Sequence, residues 1–230
     1  MLVAGVTLKR VTLNLPRLQA FLAELKFNNE KAWFGAHRSE YQALREEFID
    51  FMAGVIAGVA VTDPGVADIR ARDTLFRINR DVRFAHDKSP YKTSFSAAIS
   101  PGGRHSSLPL YYLQLGADES FVAGGIYGPP PADVAIIRAY IERYPAKADA
   151  LLNEASLQTE FGGLSAGDML KRFPGGFEQV SELLKYRSFT VSAPLDAPNS
   201  DDLSAQVIRK CAAMRPLHGW LREAMAYRKP

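Results

Sequence analysis

The stretch 93-TSFSAAISPGGRHSSLPLYYLQLGADESFVAGGIY-127 decides the fold class of this chain. It contains three short runs rich in β-branched and aromatic residues, separated by the turn-forming segments 101–107 and 116–120. Because parallel strands need long crossover connections, links this short predict an antiparallel meander. Similar runs at 74–80 and 187–195 bring the predicted sheet to about five strands.

Helical patterns precede and follow the strands. Residues 15–27 place leucines and a phenylalanine on one stripe, and residues 30–61 repeat apolar residues at steps of three and four. Two more helical patterns, at 134–155 and 201–227, are each interrupted by a proline. We therefore predict an α+β fold in which helices pack on a largely antiparallel sheet.

The composition excludes several classes of protein. Of the 230 residues, 47% are apolar and 23% are charged, as in ordinary globular proteins. The single cysteine, Cys211, precludes an intrachain disulfide, and four scattered histidines predict no metal site. Neither a membrane span nor a secretory signal is recognisable. We expect a cytoplasmic protein without membrane attachment, with an extension at 1–14 and a single domain over 15–230; cofactors and oligomeric state are not predicted.

Positive charge is concentrated in one segment, although the net charge is only +3. Between Arg70 and Arg104 there are eight basic and three acidic residues. The centre of this segment is 76-FRINRDVRFAHDKSPYKTSF-95, and residues 77–92 of it are called the basic ribbon here. Guanidinium groups present planar forks of donors that fit carboxylate or phosphate oxygens, and lysine adds a point charge. The ribbon is therefore the candidate functional surface.

The leading hypothesis is that the ribbon lines a pocket for an anionic small molecule, such as a phosphorylated one. Trp33, Tyr91 and Tyr112 are the candidate aromatic walls. The predicted ligand-binding residues are Arg77, Arg80, Asp81, Arg83, Asp87, Lys88, Tyr91, Lys92, Trp33 and Tyr112. A second hypothesis is that the ribbon binds nucleic acid through its phosphate backbone.

A third hypothesis makes the ribbon structural. Arg80 would pair with Asp81 and Arg83 with Asp87, and this lattice would pin the loop to the sheet while a partner docks elsewhere. The sequence does not decide whether the protein is an enzyme. If it is one, Asp81 or Asp87 is the candidate proton acceptor and Lys88 or Tyr91 the candidate donor, with arginines stabilising negative charge.

Five segments occur in the order and spacing of a known family. They are NNEKAWF (28–34), FRINRDVRFAHDKSPYKT (76–93), LPLYYLQL (108–115), GGIYGPP (124–130) and YRSFTVSAPL (186–195). The chain resembles a widespread family of uncharacterised conserved proteins of bacteria and fungi, classified as a domain of unknown function. The resemblance runs from about Leu15 to about Tyr227. It implies one domain and makes the basic ribbon the family's distinguishing patch, but it implies no reaction or cofactor.

Overall fold

The computed structural model describes residues 13–103, 106–165, 181–195 and 202–227. The helices are α1 (Leu15–Phe27), α2 (Lys31–Ala36), α3 (Arg38–Ala60), α4 (Ala71–Thr74), α5 (Pro131–Arg143), α6 (Pro145–Leu152), α7 (Ala155–Phe161), α8 (Ser181–Lys185), α9 (Leu203–Ala213) and α10 (Arg215–Ala226). The strands are β1 (Ser94–Ile99), β2 (Leu110–Gly116), β3 (Ser120–Ile126) and β4 (Phe189–Pro194). The predicted α+β fold is confirmed. None of the helices in these ranges is long and apolar enough to cross a membrane.

The start of the fold lies at the edge of the described ranges. Most of the predicted extension, residues 1–12, falls outside them. Leu13 is 1% exposed, and the Asn14 side chain accepts a hydrogen bond from the Arg17 N–H at 3.1 Å, which caps α1. These two residues are therefore joined to the packed structure.

The sheet is antiparallel, with the strand order β1-β2-β3-β4. The predicted meander corresponds to β1, β2 and β3. Residues 74–80 are predicted as a further strand, but this segment pairs through isolated bridges, Leu75 with Ala97 at the free edge of β1 and Asn79 with Tyr91, which precedes β1. These bridges are four residues apart on one chain segment and six apart on the other. The two additional residues interrupt the ladder, as a bulge does, so no regular fifth strand forms.

The two faces of the sheet have different surroundings. Along β2, Tyr111, Leu113 and Leu115 are buried on the inner face, whereas Tyr112 and Gln114 are partly exposed on the outer face. Helices pack on the inner face through ring contacts of Tyr41 and Phe48 with Phe95, of His218 with Tyr111, and of Trp220 with Phe189. Helix packing thus covers the face opposite to Tyr112.

A buried carboxylate joins the segment after α3 to β2 and α10. The Asp63 side chain is 3% exposed, and its Oδ2 accepts from the Tyr111 hydroxyl at 2.8 Å and from Arg222 Nη2 at 2.7 Å. Arg215 Nη1 lies 2.8 Å from the same oxygen. Burial raises the pKa of this carboxyl, but the hydrogen bonds from Arg222 and Tyr111 and the arginine charges outweigh burial and lower it overall. Asp63 is therefore ionised at neutral pH.

Asp63→Asn should lower the free energy of unfolding by about 3 kcal/mol, because it leaves two arginines facing a neutral amide. Urea unfolding monitored by circular dichroism measures this loss. Asp68→Asn is the matched control: Asp68 is exposed, and we expect a change below about 0.5 kcal/mol. Because the native pKa of Asp63 is lowered, its contribution persists at neutral pH and disappears as the pH falls below about 4. Equal stability of Asp63→Asn and the parent protein would contradict this account.

His218 predicts a second pH dependence. Its ring is 0% exposed, and its centroid lies 4.2 Å from that of Tyr111. Burial, together with the charge of Arg222, lowers the pKa of His218 to about 3. The unfolded chain binds a proton at this histidine below about pH 6.5, whereas the native protein does not, so stability decreases as the pH falls. Between about pH 6 and pH 5, His218→Phe should reduce the slope of the free energy of unfolding against pH by up to about 1.4 kcal/mol per pH unit. Parallel stability profiles of the two proteins would refute this expectation.

Candidate functional site: a basic cleft

A cleft of about 810 Å³ opens between the α2–α3 helices and the ribbon segment that runs along β1. It is called the basic cleft here. Its lining residues are Lys31, Phe34, Gly35, Arg38, Tyr41, Gln42, Arg45, Arg72, Leu75, Phe76, Arg77, Ile78, Asn79, Tyr91 and Lys92. Six of these residues are lysine or arginine, and no acidic residue of the described ranges lines the cleft. The cleft is therefore strongly positive.

Helices α2 and α3 form the first wall. The residues that they contribute to the polar stripe are Lys31, Gly35, Arg38, Gln42 and Arg45. Steps of four and three place these residues on one side of a helix, opposite the apolar stripe that packs on the sheet. The continuous helix predicted over 30–61 is instead divided at His37, whose Nδ1 lies 2.9 Å from the Trp33 carbonyl oxygen. The His37 backbone N–H donates to the same oxygen at 3.1 Å, so the ring and the backbone of His37 share one acceptor at the break.

Residues 75–79 form the second wall together with Tyr91 and Lys92, and backbone hydrogen bonds hold it in place. The Phe76 N–H donates to the Ser96 carbonyl at 2.9 Å, and the Lys92 N–H donates to the Ile78 carbonyl at 2.7 Å. A further bond within the ribbon runs from the Arg80 N–H to the Pro90 carbonyl at 2.9 Å. The backbone of the second wall is thus held in place without a ligand.

Tyr91 connects the two walls. Its ring stacks on Phe34 of α2 with the centroids 4.0 Å apart. The Asn29 side chain accepts from the Tyr91 N–H and donates to the Tyr91 carbonyl, each at 3.0 Å. Asn29 lies in the connection between α1 and α2, so this paired contact sets the distance between helix and ribbon. Tyr91 and Phe34 are both buried and close the inner end of the cleft.

The six cations of the cleft are not equally compensated. Glu46 accepts from Arg45 at 3.3 Å and from Arg72 at 2.6 Å. The other four have no carboxylate within ion-pair distance in the described part of the chain, namely Lys31, Arg38, Arg77 and Lys92. Burial and the charge of Arg77 lower the pKa of Lys92. The cations of the cleft therefore repel one another, and a bound anion would reduce this repulsion.

The remaining ribbon arginines are paired with carboxylates. Arg80 donates to Asp87, and Arg83 donates to Asp81 through Nε at 2.9 Å and Nη2 at 2.6 Å. The predicted pairs, Arg80 with Asp81 and Arg83 with Asp87, were wrong, because the partners are exchanged. The cause is the way in which the loop 81–88 closes. Asp87 also accepts from the Ser89 N–H at 2.8 Å and from the Ser89 hydroxyl at 2.6 Å, and these bonds place its carboxylate near Arg80, where the loop begins.

These ion pairs make the ribbon acids weak bases. Hydrogen bonds from Ser89 and then Arg80 lower the pKa of Asp87, and hydrogen bonds from Arg83 lower the pKa of Asp81. A carboxylate with a lowered pKa accepts a proton poorly at neutral pH, which disfavours the hypothesis that either is a catalytic base. Lys88, the candidate donor, donates to the Val82 carbonyl at 3.0 Å within the loop.

The predicted site residues therefore separate into groups. Arg77, Tyr91 and Lys92 line the basic cleft, while Arg80 and Asp87 line an adjoining hollow of about 420 Å³ that shares Tyr91 and Lys92 with it. The exposed loop holds Asp81, Arg83 and Lys88. Two predicted aromatic walls lie elsewhere: Trp33 stacks on His37 at 3.9 Å, and Tyr112 is on the outer face of the sheet.

Four basic residues outside the ribbon also line the cleft and were not among the predicted site residues. Lys31, Arg38 and Arg45 recur at steps of seven, which is two helical turns, so a search for a polar stripe opposite the apolar one would have found them. Arg72 precedes the ribbon, and no spacing rule connects it with the helix. Only the packing of α3 beside the ribbon brings these charges together.

Metal and thiol chemistry find no support in the described ranges. No group of three or more His, Cys, Asp or Glu side chains there is arranged to hold a metal ion. Cys211 is buried in α9, and burial raises its pKa to about 12, so its thiol stays protonated. The chemistry of the site is therefore that of its cations.

Arg77→Gln should raise the pKa of Lys92, because it removes the repulsion that Arg77 exerts on the ammonium. The pKa should still remain below the ordinary lysine value, since the larger cause, burial, is unchanged. An NMR titration of the lysine Cε resonances measures it. Arg83→Gln is the control, because Arg83 is engaged by Asp81 on the exposed loop. A Lys92 pKa that is the same in Arg77→Gln and the parent protein would show that the two charges are not coupled.

Comparison with known proteins supplies the family. No curated protein and no solved structure matched the chain. One family model, described as "Conserved hypothetical protein (DUF2461)", matches residues 17–220, which include the ribbon, both walls of the cleft and the sheet. The chain therefore belongs to the DUF2461 family of conserved hypothetical proteins.

Proposed function

We propose that the basic cleft binds a polyanion, that is, a ligand with more than one phosphate or carboxylate group. The observation that supports this most directly is the set of uncompensated cations on opposite walls, Lys31 and Arg38 from the helices and Arg77 and Lys92 from the ribbon. Charge-assisted hydrogen bonds from such groups to phosphate oxygens are among the strongest in proteins. A ligand with a single anionic group would leave one wall uncompensated.

The electrostatics of the cleft support a ligand more than a structural lattice. Like charges in a concave surface raise the local potential and attract anions. A structural lattice would pair every ribbon arginine with a carboxylate, which is the arrangement of Arg80 and Arg83 but not of Arg77. The structural hypothesis thus accounts for the exposed loop, and the binding hypothesis accounts for the cleft.

The organisation of the walls also favours binding. The backbone of Tyr91 is held by Asn29 and that of Lys92 by Ile78, so these wall segments lose little conformational freedom when a ligand arrives. Arg77 is exposed on its wall and available for contact. The side chains of the cleft still have to be ordered, but the frame that carries them is already in place.

Isothermal titration with inorganic tripolyphosphate tests the proposal. The parent protein should bind it, and Arg38→Gln and Arg77→Gln should each weaken binding about tenfold, the usual effect of losing one charged hydrogen bond. Arg83→Gln is the matched control, since it removes the same charge from the ribbon but outside the cleft, and its affinity should change little. Equal weakening by Arg83→Gln would mean that net charge, not the cleft, attracts the anion.

Gly35→Trp provides an independent steric test. A Cβ atom placed on Gly35 would have nothing within 4 Å, so the glycine faces open space in the helical wall. A tryptophan there should fill part of the cleft and abolish tripolyphosphate binding without changing the charge or the melting temperature. Full binding by a folded Gly35→Trp protein, or no binding by the parent protein, would overturn the proposal.

A further inference from the structure

Three aromatic rings form a row across the outer face of the sheet. Phe76, which immediately precedes the ribbon, lies 6.0 Å from Tyr112 of β2, and Tyr112 lies 5.7 Å from Phe121 of β3, measured between ring centroids. Ala98 of β1 pairs with Tyr112, and its small side chain is 1% exposed. Each ring is partly exposed. These three residues are called the ring row here.

The ring row is continuous with the basic cleft. Phe76 belongs to both, and the Lys92 ammonium lies 5.4 Å from the centre of its ring. Lys92 is also one of the four uncompensated cations. A ligand that places an anionic group on Lys92 therefore has an aromatic surface immediately beside it, and two further rings beyond.

The strands carry no charged side chain on the outer face of the sheet, and the carboxylate of Glu119 lies at its margin, with Oε1 3.5 Å from Gln114 Nε2. By strand alternation and register, its outward positions are Ser94, Ser96, Ala98, Leu110, Tyr112, Gln114, Phe121, Ala123, Thr190, Ser192 and Pro194. None of these residues is acidic, and the nearby Glu119 carboxylate accepts from Gln114. This part of the face therefore suits uncharged bases better than phosphates. The described helices that contact the sheet through their rings do so on the opposite face.

We infer that the ligand of the cleft is a single-stranded nucleic acid, with phosphates in the basic cleft and bases stacked on the ring row. This inference rests on the proposed function and narrows its ligand class. Successive aromatic rings beside a positive groove are the arrangement by which proteins hold unpaired bases without reading their sequence. A small polyphosphate would contact the cleft alone and would make no contact with Tyr112 or Phe121. In duplex nucleic acid the bases are stacked on one another and cannot lie on the rings.

Fluorescence anisotropy with a labelled oligothymidylate of about ten nucleotides, at low salt, tests the inference. The parent protein should bind this probe, and Tyr112→Leu and Phe121→Leu should each weaken binding about tenfold, because leucine keeps bulk but cannot stack. Neither variant should change the affinity for tripolyphosphate. Phe27→Leu is the control: Phe27 is 86% exposed at the end of α1, and the probe should bind this variant as it binds the parent.

The outcomes separate this inference from the proposed function. Tripolyphosphate binding without oligothymidylate binding overturns the nucleic-acid inference alone, and binding of neither overturns both. Oligothymidylate binding that survives unchanged in the Tyr112→Leu and Phe121→Leu variants also overturns it, as does equal affinity for a duplex of the same length. If a leucine variant unfolds, as judged by circular dichroism, Tyr112→Phe replaces it: its ring still stacks, and it must bind as the parent does.

Discussion

The buried Asp63 carboxylate is the interaction on which the positions of the surrounding elements depend. One of its oxygens contacts Tyr111 of β2 and both Arg215 and Arg222 of α10. Asp63 also lies between α3 and the segment that leads through α4 into the basic ribbon. Both walls of the cleft are therefore attached, in sequence, to a residue that is fixed to the sheet. A buried ion pair adds little net stability, but an unpaired buried charge is costly, so alternative arrangements of these elements are disfavoured.

Because the helices pack on one face of the sheet, the edge at β1 and the outer face are not covered by them. Leu75 and Phe76 occupy the free edge of β1 at Ala97 and Ser96, which protects this part of the edge from pairing with another chain. Since the bridges of the segment 75–79 are out of step with β1, it does not continue the sheet as a regular strand, and the cleft opens between it and α3. The outer face keeps its partly exposed rings. The cleft and the ring row thus both depend on the irregular edge.

The charges of the basic ribbon divide between two functions. At the loop, Asp87 binds Arg80 and Ser89 together and closes the chain on itself, while Asp81 engages Arg83. These pairs are exposed, and exposed pairs contribute little stability, but they neutralise the loop. Arg77 and Lys92 have no carboxylate partner among the described residues, and they line the cleft across from α2 and α3. A sum of charges over the segment cannot distinguish these two groups.

Local sequence patterns are enough to predict the fold class and the segment in which positive charge is concentrated. Strand alternation, short turns and helical stripes are local signals, because each depends on residues a few positions apart. The same holds for the concentration of arginine and lysine around residue 80. Arg77 and Lys92 were predicted together for this reason. Trp33, Tyr91 and Tyr112 were chosen as aromatic walls, and of these three Tyr91 alone lines the cleft.

Which charged side chains pair with one another depends on tertiary packing. Asp63 and Arg222 are 159 positions apart, and no spacing rule relates them. Whether Arg80 meets Asp81 or Asp87 depends on where the loop closes, and whether Lys31 and Arg38 face Arg77 depends on how α3 packs beside the ribbon. The physical reason is that periodicity specifies which side of an element is polar, but a site forms from the distances between elements. Those distances are set by the packing of the whole core and by buried contacts such as that of Asp63.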